Sequence, residues 1–224
     1  GWRTFEVVAR GEVLEPEGAT RVWLPLPSVF EPEWIRPQGN LWETNAGSAR
    51  VVADPVYGTQ MLAAEWQAGA APVLEVTSRF AARDRAGDLA RPARVMPLTL
   101  QERALWTAPT EFLPTDGLVR ETALAITRGA RTDEARARAL YSWICDHTER
   151  NAATRGCGVG DIKGMLEAGN LSGKCADLNA LYVGMARSLG LPARDVYGIR
   201  VADSRYGYKS LGKSGTISKA QHCR

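Results

Sequence analysis

Hydrophobic and polar residues alternate with a period of two over the first eighty residues and with a period near 3.6 after residue 116. In "VLEVTSRF", Val73–Phe80, Leu74, Val76 and Phe80 share one face while Glu75, Thr77 and Arg79 take the other. That is the pattern of a half-buried strand. "RVWLPLP", Arg21–Pro27, sets Val22, Leu24 and Leu26 against Trp23. "ARVVADP" and "QMLAAEW" are weaker strand candidates. Short strands separated by Gly, Pro and Asn clusters predict an antiparallel β-sandwich over residues 1–85. Its tryptophans read as packing or interdomain residues.

The period is lost over residues 86–115, which contain Pro92, Pro97, Pro109 and Pro114. This stretch is expected to be an extended but ordered linker. Helical spacing then takes over. "TDGLVRETALAITRGA" starts at Thr115/Asp116 and carries Leu118, Val119, Thr122, Ala123 and Ile126 on one side. "TDEARARALYSWICDHTER" starts at Thr132 with acids in its first turn, and its stripe is Ala137, Leu140, Tyr141, Ile144 and Cys145. Cys145 is therefore expected in the core. His147 falls off the stripe near the helix C-terminus, where an imidazolium suits the dipole. "TRGCGVGDIKGMLEAGN" follows as a glycine-dense loop, with no phosphate-loop spacing, and a short helix from Asp161 to Gly169.

The sharpest pattern lies in "GNLSGKCADLNALYVGMARSLGLPAR", Gly169–Arg194. Leu178, Leu181, Tyr182, Met185, Ala186 and Leu189 recur at helical spacing, Gly190 closes the helix and Pro192 prevents its restart. Cys175 sits in the first turn. Unpaired N–H groups and the positive end of the helix dipole converge there, which favours a thiolate and suits an oxyanion beside it. Cys175 also stands three residues before Leu178 and could extend the apolar stripe. Nucleophile and core thiol are both open at this point.

Composition narrows the choice only modestly. The 224 residues are 45% hydrophobic and 24% charged, ordinary for globular domains. A net charge of +3 gives no footprint for nucleic acid. The charge is unevenly spread: residues 1–115 hold 11 basic and 14 acidic residues, residues 116–224 hold 17 and 11, and all five lysines fall in the second part. This split agrees with two domains. No stretch has the roughly 18 apolar residues of a transmembrane helix. A charged-then-apolar leader is absent, and the chain starts with Gly, as a processed or engineered chain would. The four cysteines, 145, 157, 175 and 223, form no CxxC pair.

A thiolate nucleophile needs a base. The histidines are His147 and His222. Tyr197, Ile199 and Val201 alternate as a strand, a Gly/Ser/Lys loop follows, and "ISKAQHC" can begin a second strand carrying His222. A cysteine on a helix tip and a histidine on a later strand make a workable pair. Cys157, Cys175, His222 and Cys223 also offer four soft ligands, but their spacing matches no zinc signature, so neither a metal nor a cofactor is expected.

The segments "NLSGKCADLNALYVGMARSLGLPARDVYGIRV" and "GKSGTISKAQHCR", with "RALYSWICDHT" and "TRGCGVGDIKGMLEAGN" upstream, resemble the bacterial branch of the transglutaminase-like superfamily, the papain-related group with a Cys-His-Asp triad. The resemblance covers residues 116–224, and the N-terminal sandwich resembles the β-domain of some exported bacterial members. It implies an α+β fold, with helices packed on an antiparallel sheet behind the sandwich. It makes Cys175 the nucleophile and His222 the general base. The family's acid lies on the strand after the histidine, beyond Arg224, so the domain is expected to be incomplete at its C-terminus. Asp195 and Asp203 precede His222 and do not match the motif. The implied activity is acyl transfer from protein or peptide amides through a Cys175 thioester, completed by water or by an amine. The implied location is the periplasm or another exported one. The alternative is a binding or scaffold module that keeps the fold without the chemistry.

Overall fold

A computed structural model describes residues 1–84, 96–203, 214 and 220–223. The chain divides into two compact units, Gly1–Arg94 and Val95–Arg224.

The first unit is two three-stranded antiparallel sheets. Strands β1 (Arg3–Glu12), β6 (Val73–Ala82) and β3 (Ile35–Thr44) form one in the order β1-β6-β3, and β2 (Thr20–Pro25), β5 (Gln60–Trp66) and β4 (Ser48–Ala53) form the other in the order β2-β5-β4. Leu26, Leu62, Ala64 and Trp66 from one sheet meet Leu74 and Val76 from the other in a buried core. The alternation read from Val73–Phe80 holds, with Leu74, Val76, Ser78 and Phe80 all buried. Asn45 ties the end of the sandwich together. Its Oδ1 accepts from Trp66 Nε1 at 2.7 Å and from the Val73 N–H at 3.0 Å, and its Nδ2 donates to the Ala71 carbonyl.

The second unit is built around a buried helix. Helices α1 (Leu100–Thr107), α2 (Gly117–Ile126), α3 (Asp133–His147) and α4 (Ile162–Ala168) pack on α5 (Cys175–Ser188). A short parallel pair, β7 (Glu149–Arg150) with β8 (Ser172–Gly173), leads into α5. An antiparallel ribbon, β9 (Tyr197–Ile199) with β10 (Gln221–Cys223), follows it, and β10 contacts α5. Leu140, Ile144, Ile162, Leu181, Met185 and Ala186 form the centre of the core. The burial of α5 is wider than its apolar stripe, because Ala176, Ala180, Val183 and Gly184 are buried as well.

Gly184 shows how tightly these helices meet. A Cβ there would lie 2.1 Å from Ile162 Cδ1, so any side chain at this position has to displace the end of the fully buried Ile162 where α4 meets α5. The end of α5 follows the expected glycine closure. Gly190 adopts φ +76°, its N–H bonds to the Arg187 carbonyl, and the Leu191 N–H reaches the Ala186 carbonyl. Helix α4 runs as read, capped by the Asp161 carboxylate and closed by Gly169 in the left-handed region.

Two expectations need correction. Cys145 is exposed, not in the core. The α3 stripe that packs inward is Ala137, Leu140, Trp143 and Ile144, and Tyr141 and Cys145 lie one helical step beyond it at the surface. The extended linker over residues 86–115 holds a helix. Thr99 and Glu102 form a reciprocal capping box that starts α1, and the Ala193 N–H bonds to the Trp106 carbonyl. Residues 86–95 of that stretch lie outside the described residues, as do Lys209, Lys213 and Lys219 of the loop before His222.

Candidate active site

Cys175 occupies the first position of α5, half-buried, with Lys174 as the N-cap. Its neighbourhood is organised by Asp177, two residues on. This carboxylate is 8% exposed, yet it is fully engaged. Oδ2 accepts the Lys174 N–H at 2.9 Å, and Oδ1 accepts the Val159 and Gly160 N–H groups, each at 2.9 Å. A carboxylate at the third helical position suits the dipole, and three N–H donors replace its lost water.

The glycine-dense loop is explained by the same carboxylate. A Cβ on Gly158 would lie 2.0 Å from Asp177 Oδ2, and one on Gly173 would lie 2.6 Å from Asp177 Cβ. Gly158 also adopts φ +102°. Residues 155–160 therefore wrap the Asp177 side chain, and glycine is required where the backbone passes closest. The wrapped loop delivers Cys157, whose carbonyl accepts the Ala176 N–H at 3.0 Å.

Three thiols meet at this corner. Cys157 and Cys223 lie beside Cys175, the first through its carbonyl on the Ala176 N–H and the second through Asn179, which bonds to the carbonyls of both Cys175 and Cys223. Burial pushes the Cys175 thiol up, but the influence of Cys223 first, then of Cys157 and the Ala176 N–H, outweighs it, and the thiol ends below its ordinary value. The other two move the opposite way. Burial, then the Cys175 charge and its hydrogen bond, raises Cys157. Burial and Cys175 raise Cys223 strongly. Of the three, Cys175 is the one shifted toward ionisation. All four cysteines of the chain are free thiols.

Strand β10 reaches the helix through Asn179. Its Nδ2 donates to the Cys175 carbonyl at 2.8 Å and to the Cys223 carbonyl at 3.0 Å. His222 is the central residue of β10, half-buried, and pairs with Gly198 of β9. Strand β10 thus meets the head of α5 at Cys223 through Asn179, and His222 is the next residue along it, where the pleat turns successive side chains to opposite faces. Neither Asn179 nor Asp177 stood out in the sequence as a site residue, although both fall within "GKCADLNAL".

Asp195 lies near this corner. Its Oδ1 is a buried oxygen with no hydrogen-bond partner among the described residues. Burial pushes its carboxyl up to about 6, against the pull of Arg187. His147, the other histidine, is exposed, stacks on Trp143 at 4.6 Å and holds its Nδ1 2.8 Å from the Trp143 carbonyl. Among the described residues no group of three or more His, Cys, Asp or Glu is placed to hold a metal ion. No helix among them is long and apolar enough to cross a membrane.

This arrangement of a cysteine heading a buried helix, with a short ribbon laid across its tip, coincides with a family match: residues 120–223 fit the model of the transglutaminase-like superfamily. That stretch of the second unit matches the transglutaminase-like superfamily. An uncharacterised protein of Haemophilus influenzae is 30% identical over 224 residues, 93% of this chain and 60% of the relative. The chain therefore spans about 60% of that relative's length. A solved structure from Cytophaga hutchinsonii, described as a proposed cysteine protease, aligns with TM-score 0.65 at 13% identity, covering 88% of this chain and 70% of the other. At that identity the likeness concerns the fold, which is α+β with antiparallel sheets before the helices. A structure of a proposed protease from Parabacteroides distasonis aligns with TM-score 0.33 at 13% identity and adds nothing to this.

Proposed function

We propose that the transglutaminase-like domain catalyses acyl transfer from protein or peptide carboxamides, with Cys175 as nucleophile and His222 as general acid and base. The observation that carries this reading is the Cys175 sulfur. It heads α5, half-buried, and its neighbours, Cys223 first, hold the thiol below its ordinary value.

Cys175 thiolate adds to the amide carbon and the carbonyl oxygen becomes an oxyanion. The first-turn amides are not equally placed to receive it. The Ala176 N–H is engaged by Cys157, and the Leu178 N–H closes on the Lys174 carbonyl. The Cys175 N–H heads the helix with no intrahelical acceptor available, and it is the donor we assign to the oxyanion. Collapse breaks the C–N bond, His222 protonates the departing amine, and a thioester remains. Water or a second amine, deprotonated by His222, then releases the acyl group.

The test uses casein with a fluorescent primary amine, read both for amine incorporation and for hydrolysis. The expected result is activity in the wild type that falls by at least about 100-fold in Cys175→Ala and in His222→Ala, the scale of a lost acid–base or nucleophilic group. Equal turnover by Cys175→Ala, or no turnover by the wild type despite a thiolate at Cys175, would favour the non-catalytic scaffold.

A further inference from the structure

Cys223 is a buried nucleophile that the acyl-transfer reading does not use. It is 5% exposed, and Asn179 Nδ2 bridges its carbonyl at 3.0 Å and that of Cys175 at 2.8 Å, which sets the two cysteines side by side. A bystander thiol so close to a thiolate is a chemical hazard unless it serves one. We propose that Cys223 is the resolving cysteine of Cys175. Peroxide oxidises Cys175, and Cys223 then closes a reversible disulfide that masks the nucleophile.

The chemistry balances without a further reagent. The Cys175 thiolate attacks one oxygen of hydrogen peroxide, the O–O bond breaks, and sulfenic acid and hydroxide form. The Cys223 sulfur attacks the sulfenic sulfur, the S–O bond breaks, and the departing hydroxide takes up the Cys223 proton as water. Two thiols and one peroxide become one disulfide and two waters. A dithiol reductant reverses it.

The geometry assigns the order of events. Cys175 is half-buried rather than fully enclosed and is the most readily ionised of the three, so peroxide meets it first. Cys223 is shielded from solvent and stays protonated while Cys175 carries charge. Conversion of Cys175 to a neutral sulfenic acid removes that charge, which frees Cys223 to attack. Asn179 bonds to the carbonyls of both residues, so strand and helix stay in contact while a side-chain rotation brings the sulfurs to the bond length of about 2.0 Å. Cys157 also lies beside Cys175, but it rides on the glycine loop between Gly156 and Gly158, both with positive φ, whereas Asn179 ties Cys175 to Cys223.

The disulfide itself is independent of the acyl-transfer reading; only its inhibitory effect rests on that reading. The protein is treated with a small molar excess of hydrogen peroxide, quenched with iodoacetamide and mapped by peptide mass spectrometry without reduction. A Cys175–Cys223 linked peptide is expected, together with loss of alkylatable Cys175 that dithiothreitol reverses. In Cys223→Ser, matched to the wild type for thermal melting, Cys175 is expected to proceed to sulfinic acid instead. Cys157→Ser is expected to retain the link. The proposal is overturned if the linked peptide is absent, if it joins Cys157 to Cys175, or if Cys175 over-oxidises equally with and without Cys223. Casein turnover measured on the same samples separates the two claims. A link that forms without any loss of turnover defeats the catalytic reading and leaves the disulfide standing.

Discussion

A Cβ on Gly158 would lie 2.0 Å from Asp177 Oδ2, so the loop that carries Cys157 and the helix that carries Cys175 share one buried carboxylate. Asp177 holds both with three backbone N–H groups and leaves no room for any residue but glycine beside it. Placement of the candidate nucleophile therefore depends on a residue that touches no substrate.

Asp177→Asn is expected to lower stability by about 1–3 kcal/mol, because the new amide presents N–H to at least one of three N–H donors. The same change is expected to slow Cys175 alkylation at neutral pH, since the loop and first turn lose their shared anchor. Gly158→Ala is expected to cost a similar amount, from positive φ and from the clash. Thermal melting and peptide-resolved alkylation measure both. Unchanged melting in both variants would contradict the wrapped-carboxylate account.

Gly184→Ala is expected to destabilise by about 1–3 kcal/mol although alanine is the better helix former, because its Cβ meets Ile162 Cδ1 inside a filled core. Ile162→Val removes that atom. The double variant is then expected to be more stable than the sum of the two single changes, by a coupling of about 0.5–3 kcal/mol. Denaturant midpoints of the four proteins check this.

Asp195 predicts a pH effect of defined sign. Its carboxyl is raised to about 6 in the folded chain, against about 3.9 when unfolded. The folded state binds the extra proton between these values, so Asp195 makes stability fall as pH rises from about 4 to 6. Above that window its ionised form is a standing cost. Asp195→Asn is expected to raise the melting temperature at pH 7.5 and to have less effect at pH 4. The opposite order would contradict the assigned burial.

The helical half was the more legible in the sequence. Apolar spacing, Gly190 and Pro192 located α5 and set Cys175 at its start, because a helix is encoded by residues close in the chain. The resemblance, through "GKCADL" and "QHCR", pointed at the same residue. Cys145 was misplaced because a stripe about 100° wide admits two neighbouring choices, and only the packing of Trp143 against the core decides between them. The α1 capping box was present as Thr99 and Glu102, but the surrounding prolines obscured it. The contact of Cys223 with Cys175 was not legible, since it follows from the register of β10 on β9 and from how that ribbon meets the helix, both set by tertiary packing.

Asn179→Ala isolates the strand-to-helix tie. The expected result is a loss of about 1–2 kcal/mol from two hydrogen bonds to buried carbonyls. Alkylation of Cys223 is expected to accelerate as β10 loosens from α5. Protection of Cys223 equal to that in the wild type would show that the Asn179 bonds do not hold the strand.

The central claim is that Cys175 is a thiolate poised at a helix tip. The most direct measurement is the rate of Cys175 alkylation by iodoacetamide against pH, resolved by peptide mass spectrometry. The account predicts a midpoint below the free-thiol value of about 8.5 and, near neutral pH, a rate above that of the more exposed Cys145. A midpoint at or above about 8.5, with Cys175 slower than Cys145 throughout, would contradict it.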